Sequence, residues 1–312
     1  MKRGLACVMS LAGVCAAWSA AVAAAPAADG DANDPLLQPI AAENAARWLT
    51  PVPPVRIFGN TWLVGFGGLS TGLIVTSDGL ILIDGAVPQG VRAIEANLRS
   101  AGFRIEDVRL ILSTEPHYDH AGGLAALVRD SGATVVASAP AAAVLHRGRS
   151  GLDDPQAAWL ADFPPVARLR IVEDGDEIRL GDTIVTARAT PGHTAGSMSW
   201  SWRACEGEGK NARCANMVFA SSLNPIAADG YRFSDPAHAG TVAAFRRTFA
   251  AMRGLRCDIL LTAHPDQSGG DVKYAALLAG KTPNPFLDRS ACRAYANRFE
   301  RALDARLAEE GR

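Results

Sequence analysis

The sequence predicts a mixed α/β fold in one continuous domain. Short aliphatic runs with strand character occur in both halves of the chain, apolar residues at helical spacing alternate with them, and glycine-rich turns separate the two. With 312 residues, 48% hydrophobic and 20% charged, the chain can bury a substantial core.

The first residues, "MKRGLACVMSLAGVCAAWSAAVAAAPA", place Lys2 and Arg3 before an apolar run that ends near Ala25 among small residues. This is the pattern of a secretory signal over residues 1–25, with cleavage expected at about 23–28. Ser and Gly interrupt the run, no later stretch is apolar enough to span a bilayer, and Val14 before Cys15 is wrong for lipid attachment. A soluble, exported, periplasmic protein is expected. Processing moves the formal net charge from −1 to −3, because Lys2 and Arg3 leave and no acidic residue does. No basic footprint for nucleic acid is present.

Residues 26–47 read as a polar lead-in and 48–312 as the single domain. From Thr61 to Asp84, "TWLVGFGGLSTGLIVTSDGLILID" reads as consecutive strands broken at glycines and at Ser77-Asp78-Gly79. Val91, Ile94 and Leu98 give a helix closed at Gly102. "VRLILS" is a buried strand, "AGGLAALVRD" a helix and "TVVAS" a strand. "IVEDGDEIRLGDTIVTARA" alternates like a hairpin around Asp174-Gly175 and Gly181-Asp182. "MVFAS" is a further strand, and Val242, Phe245, Phe249 and Met252 mark an amphipathic helix. "CDILLTAH" is a last strand ending in His264, and Tyr295, Phe299, Leu303 and Leu307 stripe a C-terminal helix. Nothing in these stripes demands a partner, so a monomer is expected.

Four cysteines remain after the leader: Cys205, Cys214, Cys257 and Cys292. An even number in an exported chain favours disulfides, and four allow three pairings. The short loop "CEGEGKNARC" favours a local Cys205–Cys214 bridge, leaving Cys257 with Cys292. Zinc binding by the four lacks a C-x-x-C pair.

Chemistry concentrates at the histidines. In "STEPHYDHAGG", Glu115, His117, Asp119 and His120 follow one strand; His193 follows another in "TPGHTAG"; His264 ends a third. Strand C-termini are where sites gather in layered α/β folds. Imidazole and carboxylate suit a borderline cation such as zinc, and six donors are enough for two ions with three protein ligands each. Three ligands leave a position open for water, the arrangement of a catalytic site. His146 and His238 lack such context and are expected at the surface or at a cap. The glycines of "VGFGGLSTG" read as turn residues, and no G-x-S-x-G elbow is present.

"HYDHAGG", "TPGHTAGSMSW" and "AHPDQSG" resemble the metallo-β-lactamase superfamily. From about Trp48 onward the chain is similar to subclass B3, through "GNTWLVGFGGLSTGLI", "ILIDGAVPQ", "DDPQ" and "FASSLNPIAADGYRFSD". The resemblance implies a four-layer αβ/βα sandwich, two mixed sheets with helices on the outer faces, holding two zinc ions at one edge. Carried over by position, Glu115, His117 and His193 would hold the first ion, and Asp119, His120 and His264 the second. Ser222 matches a residue whose hydroxyl helps place the substrate carboxylate, Ser221 stands where aspartate is more usual, and Cys257 and Cys292 match a family disulfide. The implied reaction is hydrolysis of the β-lactam amide by water activated at the metals, without a covalent enzyme intermediate and with Asp119 orienting the nucleophile. Penicillins and cephalosporins are the implied substrates, carbapenems are a further candidate, and the implied consequence is antibiotic resistance. Loops around Phe66 and residues 153–159 are expected to wall the pocket.

Glu115 is the departure, since most of the subclass carries histidine there and a minority carries glutamate. A carboxylate adds negative charge to the first site, and the expectation is that this site fills weakly and the second tightly. The same superfamily hosts other hydrolases, so a periplasmic lactonase or esterase, and a zinc-binding protein without turnover, stand as alternatives.

Overall fold

In a computed structural model, residues 33–207 and 209–311 are described. Residues 1–25, where a secretory signal is expected, lie outside them. The strands form two sheets. The first runs in chain order through β1 (Val55–Phe58), β2 (Thr61–Leu63), β3 (Gly72–Thr76), β4 (Gly79–Ile83), β5 (Val108–Leu112), β6 (Thr134–Ala137) and β7 (Leu169–Ile171). It is antiparallel as far as β4 and parallel from β4 onward. The second comprises β8 (Glu177–Leu180), β9 (Thr183–Ala189), β10 (Met198–Glu206), β11 (Arg213–Ala220) and β12 (Ile259–Thr262), with only β11 and β12 parallel.

Side chains on a strand alternate between its faces, so an uninterrupted apolar strand is one covered on both sides. Leu80 and Leu82 of β4 enter an outer core with α2 (Val91–Ser100), α4 (Leu124–Ser131) and α5 (Ala139–Arg147), while Ile81 and Ile83 enter the core between the sheets. On β11, Met217 and Phe219 face that same inner core. Val218 and Ala220 face α6 (Ala239–Gly254) and α8 (Ala291–Glu310) through Phe245, Phe249, Tyr295 and Phe299. The order helix, sheet, sheet, helix is the expected four-layer sandwich. Two shorter helices, α1 (Ala42–Trp48) and α3 (Tyr118–Ala121), flank the first sheet, and α7 (Gly270–Leu278) follows β12.

Two details differ from the sequence reading. Asp174-Gly175 is not a hairpin turn: it carries the chain from β7 in the first sheet to β8 in the second, which buries Ile178 against Val185 in the inner core. Only Gly181-Asp182 closes a hairpin, pairing Leu180 with Thr183. The lead-in also contributes apolar packing, because Leu37 is buried in the outer core and Leu36, Ile40 and Ala41 pack against it.

Candidate metal centre

The histidine motifs meet where strands of both sheets end. Glu115, His117, Asp119 and His120 follow β5, His193 lies in the β9–β10 turn, Ser222 follows β11 and His264 follows β12. "HAGG" is needed because the chain entering α4 lies against the loop after β4: a Cβ on Gly123 would sit 2.2 Å from the Gly85 carbonyl oxygen. That loop is strained, with Asp84 at φ 63° and Ala86 at φ 54°, a region that L-residues rarely occupy. It is held by Gly85 N–H donating to His120 O at 2.8 Å and Gly123 N–H to Ala86 O at 2.9 Å. In "TPGHTAG", Gly192 has φ 144° and passes over the Phe245 ring, which aims His193 inward.

Glu115 lies at the centre, fully buried. Its Oε1 is 2.9 Å from His120 Nε2 and 3.8 Å from His193 Nε2. Asp119 Oδ2 lies 3.3 Å from His120 Nε2 and 3.2 Å from His264 Nε2, and those two nitrogens are 3.1 Å apart. Carboxylates and imidazole lone pairs are acceptors, so atoms of this kind converge stably only around a shared cation or proton. Two trios are close enough to hold a metal ion: Glu115 with His117 and His193, and Glu115 with His120 and His264. The donors are imidazole and carboxylate without thiolate, which fits zinc or a similar borderline ion.

Electrostatics among the protein groups are strong. Burial works against an ionised Glu115, but the neighbouring His193 and His120 outweigh it and hold its carboxyl below the usual carboxylate range. Burial likewise opposes charge on His120, yet Asp119 and Glu115 push its imidazole well above its ordinary value. Asp119 is held well below its own, despite burial, by His120 and His264. Each histidine also has a backing partner. His120 Nδ1 is 3.6 Å from Asp84 Oδ2, His193 Nδ1 donates to Asn224 O at 2.9 Å, and His264 Nδ1 lies 3.3 Å from Gly68 O. His117 Nε2 is 3.0 Å from Asp154 Oδ2, and the Gln156 amide is 3.2 Å from His193 Nε2.

The family is decided by sequence as well as by geometry: residues 64–264 match the metallo-beta-lactamase superfamily. The chain belongs to that superfamily. Solved structures place this metallo-β-lactamase within subclass B3. One, described as the first B3 enzyme with an active-site glutamic acid, is 51% identical, covers 90% of this chain and 99% of its own, and has a TM-score of 0.82. SMB-1 bound to 2-mercaptoethanesulfonate is 42% identical, with 84% and 99% covered and a TM-score of 0.80. BJP-1 of Bradyrhizobium japonicum is 34% identical, with 86% and 98% covered and a TM-score of 0.75. A curated relative, the acyl-coenzyme A thioesterase MBLAC2 of Gallus gallus, is 33% identical over 128 residues, 35% of this chain and 45% of the thioesterase. The chain therefore aligns with less than half of that relative's length.

The structure brings together all six expected donors of this metallo-β-lactamase but changes three expectations. Glu115 does not belong to one trio alone; it stands between both. Ser222 does not present its hydroxyl outward for a substrate carboxylate: Oγ donates to Glu115 Oε1 at 2.8 Å and its N–H to Glu115 Oε2 at 3.0 Å. An acceptor-only carboxylate has recruited the nearest donors. Phe66 is buried in the outer core, its ring against Gly90. Ser221 joins a buried hydroxyl chain with Thr190 and Ser199. His146 is exposed, and His238 occupies the N-cap position of α6 without a side-chain capping bond, its ring stacked on Tyr231. Sequence reasoning missed Asp84, Asp154, Gln156 and Asn224 as partners of the histidines; the "DDPQ" string was the visible signal for Asp154 and Gln156, while Asp84 and Asn224 lie in "ILIDGAVPQ" and "FASSLNPIAADGYRFSD".

Proposed function

We propose that this protein hydrolyses the amide bond of β-lactams, penicillins and cephalosporins first and carbapenems among the candidates, using two zinc ions. The observation that carries the reading is Glu115 Oε1 lying between two sets of inward-facing histidines, within 2.9 Å of one and 3.8 Å of the other. The likeness to a subclass B3 enzyme with an active-site glutamic acid, over 90% of this chain, supports it.

Metal bound here supplies Lewis-acid polarisation of the lactam carbonyl and acidifies water. The protein groups supply position. Glu115, His117 and His193 form the first site, and Asp119, His120 and His264 the second with Glu115 beside them. Ser222 fixes both oxygens of Glu115, so the carboxylate cannot swing away. Asp84 accepts from Thr114 N–H at 2.7 Å and Thr114 Oγ at 2.6 Å, which locks it behind His120. Asp119, with its carboxylate at the mouth of the second set, orients the attacking water. No cysteine competes as nucleophile among the described residues, because all four lie in disulfides. Glu115 leans toward His120 rather than His193, which supports a tighter second site and a weaker first. Export to the periplasm fits the two disulfides and the leader-like N-terminus, and no helix of the described residues is long and apolar enough to cross a membrane.

The test is turnover of a chromogenic cephalosporin by purified protein, abolished by a chelator and restored by zinc. Hydrolysis of an acyl-coenzyme A thioester or an acyl-homoserine lactone, with every β-lactam left intact, would instead favour the alternative hydrolase readings. Zinc binding with no turnover would leave a binding protein.

A further inference from the structure

The segment between α5 and β7 reaches into the centre through one carboxylate. Asp154 Oδ2 lies 3.0 Å from His117 Nε2, and the two side chains are only 10% and 3% exposed. The approach is built into the loop. Asp154 Oδ1 accepts from the Gln156 N–H at 2.9 Å, an Asx turn that leaves Oδ2 free, and Asp154 N–H donates to Gly151 O at 3.2 Å. Pro155, next in the chain, accepts from Ala228 N–H at 2.8 Å, which ties the loop to the segment after β11.

The other three histidines share one orientation: Nδ1 turns to a backing acceptor (Asp84, Asn224 O or Gly68 O) and Nε2 turns to the centre. His117 is reversed. Its Nε2 is engaged by a carboxylate, which accepts and never donates when ionised, so the ring proton sits on Nε2 and the lone pair on Nδ1. Asp154 is outside the converging group of Glu115, His117 and His193, so it acts through His117.

We infer that Asp154 is a positioning residue of the first metal site: by accepting the His117 Nε2 proton it fixes the tautomer and ring plane that offer Nδ1 to the ion. It does behind His117 what Asp84 does behind His120, so each ion has one histidine backed by an aspartate, buried in the case of Asp84 and partly buried in the case of Asp154. A backing carboxylate of this kind raises ligand basicity, and its loss typically weakens metal binding by about 10- to 100-fold. Because Glu115 leans away from His193, the first ion depends more on His117 than a histidine-only site would.

The inference rests on the metal-binding reading of the site, and the test separates the two. Zinc affinity of each site is measured by competition with a chromophoric chelator for the wild-type protein, Asp154→Ala and Asp154→Asn, with folding followed by circular dichroism. Asp154→Ala should lose about 10- to 100-fold in affinity for the weaker ion and leave the tighter one within about twofold. Asp154→Asn keeps an acceptor oxygen for Nε2–H, so it should lie between Ala and wild type and covers the case in which Ala fails to fold. In the cobalt-loaded protein, the exchangeable imidazole N–H signal assigned to His117 should broaden or vanish in Asp154→Ala, an effect that a general packing role would not produce. Unchanged affinity for the weaker ion, or equal weakening of both ions in a folded variant, overturns the inference while leaving the metal reading intact. A wild-type protein that binds no zinc overturns both.

Discussion

Glu115→Ala should lower kcat/KM on a chromogenic cephalosporin by about a thousandfold, which corresponds to about 4 kcal/mol of lost transition-state stabilisation. The reason is geometric. Glu115 is the one residue common to both candidate trios, and both of its oxygens are already engaged by Ser222. Removing it deprives the first site of a donor, takes negative charge away from His120 and His193, and leaves the Ser222 N–H and hydroxyl buried without acceptors. Steady-state kinetics at saturating zinc, with zinc content measured on the same preparations, check the prediction. Glu115→Gln, which keeps one oxygen for Ser222, should fall less far, and Glu115→His should raise zinc occupancy at the first site. A Glu115→Ala protein with wild-type turnover and two bound ions would show that the carboxylate is only structural.

Removing the Cys257–Cys292 bridge should cost about 4 kcal/mol of stability on the chain-entropy model, for a sequence separation of 35 residues. In a domain of this size that corresponds to a fall in Tm of about 10 °C. The bridge joins Cys257, two residues before β12, to the first turn of α8, at the end of the strand opposite His264. Cys257→Ser/Cys292→Ser should therefore lose thermal stability while keeping kcat/KM within a few-fold at 25 °C. Thermal unfolding with and without the bridge, read beside the kinetics, checks both halves. The Cys205–Cys214 bridge closes a separation of only 9 residues at the turn end of the β10–β11 hairpin and should contribute less.

Much of this was legible from residue patterns. Leu80 to Ile83 read as a strand because every side chain there is apolar, and the structure explains why: alternate residues serve two different cores. The donor histidines stood out because they follow aliphatic strands and share glycine-flanked motifs. Less legible was what depends on distant chain. β10 places Ser199, Ser201, Arg203 and Glu206 among its inward tryptophans, which breaks the aliphatic run that marks other strands. α7 buries only Gly270 and so carries no apolar stripe. The assignment of β7 and β8 to different sheets follows from burial of Ile178, which local alternation cannot register. The grip of Ser222 on Glu115 spans 107 residues, and that of Asp154 on His117 spans 37.

The central claim is that Glu115 is a donor in a two-metal site whose first position is the weaker. Diffraction at the zinc edge, from crystals grown at one equivalent of zinc and at excess zinc, tests it directly. At one equivalent the account predicts a single anomalous peak among Asp119, His120 and His264. At excess zinc it predicts a second peak among His117, His193 and Glu115, with a carboxylate oxygen at about 2.0 to 2.2 Å from the metal. Two equally occupied peaks at one equivalent, or a Glu115 carboxylate bonded only to Ser222 at excess zinc, would contradict it.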